Sequence, residues 1–134
     1  MFNGPKHIKY KKIKKGKLKR LEFKTNKLKF GTYGLKAEES GVIHLRQIEA
    51  ARQAIARKIK RKGKIWIRVF PHLSITSKPI AIRMGKGKGQ ISHWAARIAK
   101  GTILFEICGT NSNIIFSSLK TGGAKLPVKT KIFY

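Results

Sequence analysis

The chain contains no aspartate, a single cysteine, and only five acidic residues, all of them glutamate: Glu22, Glu38, Glu39, Glu49 and Glu106. Each shortage excludes something. Cys108 alone cannot close an intramolecular disulfide, and its apolar surroundings predict a buried, inert thiol. Five scattered glutamates leave little to orient a catalytic base, and without aspartate a catalytic magnesium ion lacks its usual holder. His7, His44, His72 and His93 are far apart, and no pair has a ligand spacing. No apolar run approaches the roughly 20 residues that cross a bilayer. A helix lying on a membrane would need a strongly apolar face, which the most basic region lacks. The N-terminus also has no secretory h-region. The sequence therefore predicts no enzyme, no cofactor or metal, no small-molecule substrate and no membrane partner.

What is abundant is positive charge. Lysine and arginine total 32 in 134 residues, giving a net charge of +27. Such a charge repels itself in a compact state and favours polyanions. With membranes disfavoured, nucleic acid is the expected partner. Residues 1–29 hold Lys6, Lys9, Lys11, Lys12, Lys14, Lys15 and Lys17 among other cations, with no steady apolar period. They are expected to form an extension that orders on a polyanion. Residues 30–134 are long enough for one domain.

Within that domain, residues 30–37 read as a strand, in which Gly31 and Gly34 allow close backbone approach, and residues 38–41 as a turn. The periodicity predicts a helix over 45–62. Ile48, Ala51, Ile55 and Ile59 fall on one stripe, and Arg46, Gln53, Arg57, Lys60 and Arg61 lie opposite. Four cations on one edge, with few glutamates interleaved, form a phosphate-binding face rather than a mixed solvent face. Arg52 falls nearer the apolar stripe. His44 is a poor cap, and Gly63 stops the helix.

Alternation marks strands over 64–70, 75–82, 91–99 and 102–108, with Lys64, Trp66 and Arg68 on one face of the first. A second helix follows Asn111, a good N-cap. It is expected to end near Thr121, because each glycine of the Gly122–Gly123 pair costs about 1 kcal/mol in a helix. Residues 126–134 close the chain as a strand. The order β-α-β-β-loop-β-β-α-β predicts an α+β fold with helices on one face. Tyr33, Trp66 and Trp94 could stack on bases, but strand-like surroundings favour core packing for each.

The loop is RMGKGKG: Arg83, Met84, Gly85, Lys86, Gly87, Lys88 and Gly89. It has little to bury and much conformational entropy to lose. It matches neither G-x-x-x-x-G-K-[ST] nor G-x-G-x-x-G, because Gln90 stands where the last glycine should be. A basic tip, a basic helix face and a basic tail together suit a folded RNA approached through its phosphates. The alternative is a nucleoid-type protein that packages DNA.

Several stretches resemble a known family. RQIEAAR (46–52), GKIWIRVFP (63–71), KPIAIRMGKGKG (78–89) and AKLPVKTKI (124–132) are similar to large-subunit ribosomal protein 16 of the bacterial and organellar type. PKHIKYKKIKKGK (5–17) and FGTYGLKA (30–37) resemble its N-terminal pattern. The resemblance implies an α/β-hammerhead-like sheet with two helices. It implies binding to large-subunit rRNA near the peptidyl-transferase and A-site region, support for subunit assembly, and neighbouring large-subunit proteins as partners. Contact with A-site tRNA follows, with P-site tRNA a further candidate. By matching position, residues 83–89 approach rRNA and tRNA, the N-terminal lysines thread into rRNA, and Arg46, Arg52 and Arg57 pack along it. His72 and Leu73 replace a usually polar or charged pair, and residues 109–123 lack the family's alanine-rich, acid-started helix. HWAARIAKGTILFE (93–106), a composition leaning to A/T-rich codons and a start without an import presequence suggest a mitochondrion-encoded copy, acting in the matrix. A bacterial or plastid copy is the alternative.

Overall fold

The computed structural model describes residues 4–5, 7–16, 18 and 21–134. Lys6 and Lys17 lie outside the described residues. The elements run β1 (Tyr33–Ala37), β2 (Gly41–His44), α1 (Leu45–Lys58), β3 (Lys64–Ile67), β4 (Leu73–Ser77), β5 (Gln90–Ile98), β6 (Ile103–Cys108), α2 (Ser112–Gly123) and β7 (Thr130–Phe133). They form two antiparallel sheets, ordered β3-β6-β1-β7 and β2-β5-β4. The α+β class holds, but the single layer expected from sequence is two sheets. The strand β2 is the element missed: four residues between a turn and a helix are too short for alternation to show. Pairing with β5, Ile43 opposite Ala96, is what makes it a strand.

One core serves both sheets and both helices. Leu35, Ile43, Ile55, Ile98, Phe105, Ile107, Ile115 and Leu119 are all buried in it. The predicted stripe of α1 is buried throughout, Ile48, Ala51, Ile55 and Ile59 alike. The strand β6 is covered on both faces, and every residue from Ile103 to Ile107 is buried. The alternation of Ile103, Phe105 and Ile107 had marked only one of those faces. Cys108, at the end of β6 beside the edge strand β3, is half-buried rather than buried.

Both ends of α1 differ from expectation. His44 is the N-cap: its Nδ1 accepts from the Arg46 N–H at 3.0 Å, while the Gln47 side chain accepts from the His44 N–H at 2.9 Å. A neutral imidazole nitrogen thus does the work usually given to Ser or Asp. At the other end the helix stops at Lys58, not at 62. The Arg61 N–H reaches back to the Ala56 carbonyl and the Lys60 N–H to that of Arg57, both at 3.1 Å. This is a Schellman closure that satisfies the last carbonyls. Gly63 lies beyond it, with φ +89°.

The His44 cap is pH-dependent. Burial, the stacked His93 ring (centroids 4.2 Å apart) and Arg46 hold the His44 pKa below its ordinary value. Its contribution is complete above the unfolded pKa of about 6.5 and is lost as pH falls through the folded value. Melting at pH 7.5 and at acid pH should show the wild type losing stability relative to His44→Ala, by up to the ~1 kcal/mol typical of a cap. Equal acid sensitivity of the two proteins would contradict the cap's role.

The helix α2 runs through Gly122 to Gly123 instead of ending at Thr121. The reason is packing. A β-carbon on Gly122 would lie 2.5 Å from the Ile55 Cγ1, so the glycine is what lets α2 approach α1. Tertiary contact here outweighs helix propensity. Gly122→Ala is expected to destabilise the fold by about 1–3 kcal/mol through overpacking, measured by denaturant unfolding. A stabilised variant would show that the helices can move apart without cost. Asn111 occupies the N-cap position, but its side chain makes no capping bond. The remaining boundaries change too: the strands expected over 30–37, 64–70 and 126–134 shorten to 33–37, 64–67 and 130–133, and the one expected over 75–82 moves to 73–77. Register and sheet edges set those limits, and local pattern does not reveal them.

Candidate nucleic-acid interface

Of the predicted cations on α1, Arg46, Arg57, Lys60 and Arg61 are exposed. Arg52, Gln53, Ala56, Arg57, Lys60 and Arg61 line an open concavity of about 560 Å³. Arg46 sits in the first turn, where a cation opposes the helix dipole and no acid offsets it. Helix stability therefore does not account for it. Lys60 and Arg61 adopt left-handed backbones, φ 52° and 60°, where a side chain costs about 1 kcal/mol and glycine is usual. Cations at this end also suit the negative pole of the helix dipole. Arg52 is different. It is bound to Glu49 at 2.7 Å, and that pairing helps hold the Glu49 carboxyl below its usual pKa.

The loop 83–89 projects between β4 and β5. Residues 83–88 are exposed, and Gly85 and Gly87 have φ of +96° and +91°. Its base is fastened: Gly89 lies against the Ser77 carbonyl, and the Lys78 ammonium donates to the Gly85 carbonyl. The N-terminal extension meets the loop directly. The Lys12 ammonium donates to the Lys88 carbonyl at 2.9 Å, and the Lys88 ammonium to the Ile13 carbonyl at 2.8 Å. Two like charges are therefore held close by backbone carbonyls, Lys12 by that of Lys88 and Lys88 by that of Ile13. Lys9, Lys11, Lys12, Lys14 and Lys15 remain exposed along this segment.

The sequence reading missed what fixes the extension to the domain. Glu106, in the middle of β6, is fully buried. Its carboxylate accepts the N–H groups of Phe30 (2.7 Å), Gly31 (2.8 Å) and Lys29 (3.3 Å), and the Arg68 guanidinium. Burial pushes its pKa up, but the Gly31, Phe30, Arg68 and Lys29 bonds outweigh that and hold it below the ordinary value. Further along, the Glu22 N–H donates to the Lys100 carbonyl and the Ile103 N–H to the Thr25 carbonyl. Residues 22–31 are thus tied to the domain. A signal existed in sequence: one carboxylate in an otherwise apolar strand must find partners, and Arg68 was already on a polar strand face.

Arg68 is accordingly turned inward to Glu106, with its side chain 12 % exposed, whereas Lys64 stands exposed over the Trp66 ring. The core assignment also fails for Trp66. It lies on the outer side of the edge strand β3 and stacks on exposed Phe30, centroids 6.1 Å apart. Tyr33 does pack on the core and meets Phe116 edge-on. Trp94 is half-buried, against Gly4.

Comparison with known proteins bears on this basic surface. Residues 5–133 match the family model described as ribosomal protein L16p/L10e. The chain is 49% identical over 129 residues to "large ribosomal subunit protein uL16" of Caulobacter vibrioides, covering 96% of this chain and 90% of that one. Proteins of the same description in Bartonella quintana (50% over 127 residues, 95% and 93% covered) and Hyphomonas neptunium (51% over 128 residues, 96% and 93% covered) are similar to the same extent.

Proposed function

The chain belongs to the ribosomal protein L16p/L10e family, and from that premise we propose that it is a structural constituent of a large ribosomal subunit that binds rRNA. It belongs to a family of ribosomal proteins and is not an enzyme. The observation that carries the rRNA reading is the set of exposed cations on and just beyond α1 that have no acidic partner among the described residues, above all Arg46, which sits in the first turn where the helix dipole disfavours a cation. Phosphate attraction repays such placements, because each neutralised phosphate releases counterions.

The finer reading follows the same chemistry. Residues 1–29 act as the rRNA-binding extension, with Lys6 and Lys17 continuing the series of Lys9, Lys11, Lys12, Lys14 and Lys15. Residues 30–134 form the domain that carries the α1 face, Lys64 and the loop. The loop 83–89 works near the peptidyl-transferase and A-site region, against rRNA and A-site tRNA, with P-site tRNA a further candidate. Arg68 contributes indirectly, by holding Glu106. The mitochondrial reading rests on composition and on 93–106; the relatives named above are bacterial.

A binding titration tests this. Affinity for large-subunit rRNA fragments should exceed that for duplex DNA of equal length, and tighter DNA binding would favour a nucleoid role. Lys86→Ala should lower the salt slope of rRNA binding by about 0.7–0.9 while leaving the melting temperature alone. Lys88→Ala should do the same and also remove one of the two bonds that join the extension to the loop, the one to the Ile13 carbonyl. An unchanged slope in both variants would mean that neither lysine touches phosphate.

A further inference from the structure

Phe30 and Trp66 form an aromatic pair on the outer side of β3, their ring planes 20° apart, and Phe30 is 52% exposed. Three cations surround the pair: Lys64 lies 5.3 Å from the Trp66 centroid, and Arg68 and Lys29 lie 5.3 and 5.6 Å from that of Phe30. The pair is held in advance of any ligand. Glu106 binds the backbone of Lys29, Phe30 and Gly31, and Trp66 stands opposite Glu106 in the β3–β6 register.

We propose that this pair is a stacking platform for one unpaired RNA base. The proposal rests on the RNA-binding reading above and adds the kind of nucleotide that this part of the surface takes. A flat base presents a π-face to rings already aligned, and its flanking phosphates meet Lys29 and Lys64. An apolar protein side chain would cover the rings and leave those cations unmatched. Fixing Phe30 through its own backbone also removes much of the ordering cost that a mobile aromatic would incur on binding.

The test uses the full chain with Trp94→Phe, which leaves Trp66 as the sole tryptophan. Two probes are titrated at fixed salt: oligoadenylate, and an abasic sugar–phosphate oligomer of the same length. Oligoadenylate should bind more tightly and quench Trp66 fluorescence, while the abasic oligomer should bind without quenching. Phe30→Ala should weaken oligoadenylate binding about tenfold, the loss of one stacked base. Its abasic binding should be unchanged, and its melting temperature should stay at that of the parent. Phe30→Leu keeps apolar bulk and should lose the adenine preference as well. Equal affinity of the parent protein for both probes, or a Leu variant that keeps the preference, would overturn the platform. The first result would fit a surface that docks a protein. Binding of neither probe would overturn the RNA reading itself, and the platform with it.

Discussion

Glu106→Ala is expected to destabilise the fold by about 3–5 kcal/mol, the cost of breaking a buried ion pair by removing one partner. Two losses add. The largely buried Arg68 guanidinium is left without its counter-charge, and the N–H groups of Lys29, Phe30 and Gly31 lose their acceptor. Glu106→Gln keeps an oxygen for some of these donors and should cost less. The acid limb of the stability curve carries the same information. Because the folded-state pKa of Glu106 is depressed, its contribution is complete above the unfolded value of about 4.3 and disappears as pH falls through the folded value. Wild-type stability should therefore fall steeply below about pH 4, and the Gln variant should lose less over the same interval. Parallel acid limbs would show that the carboxylate is not what holds residues 29–31. Susceptibility of residues 29–31 to proteolysis should rise in both variants, because their attachment to β6 passes through this carboxylate.

The second large effect is on binding. Replacing Arg46, Arg57, Lys60 and Arg61 together by Gln should weaken rRNA binding on the order of 10²-fold at 0.1 M salt and lower the salt slope by roughly 3. All four side chains are exposed, so the melting temperature should hardly move. Arg52→Gln added to the set should change little at high salt, because Arg52 is already paired with Glu49. A large loss of stability would instead mean that the strained Lys60–Arg61 corner is needed to close α1.

How legible the molecule was in its sequence depends on the range of the interaction concerned. The apolar stripe of α1 and its basic edge follow from period alone, and the stripe is buried as expected. The loop glycines marked a run with little to bury, and residues 83–88 are exposed, with Gly85 and Gly87 at positive φ. What stayed hidden was decided by specific partners, most of them distant in sequence. Gly122 reads as a helix breaker until Ile55 is placed against it. His44 is a weak cap by residue type, yet Gln47 completes a reciprocal pair. Trp66 looks like a core residue because it alternates within a strand, and only its register opposite Glu106, on the sheet face that residues 29–31 cover, takes it out of the core. Glu106 could have been suspected, but not its anchoring of Lys29 to Gly31, some 75 residues away.

Together these contacts describe a small core that carries cations on surfaces it does not need for folding, with the extension and the loop 83–89 already joined at Lys12 and Lys88. The most direct test of that account is sedimentation. The tagged chain, expressed in cells, should travel with the large ribosomal subunit at one copy per particle and stay there through a high-salt wash. Recovery in the free-protein fraction, or with DNA, would contradict it.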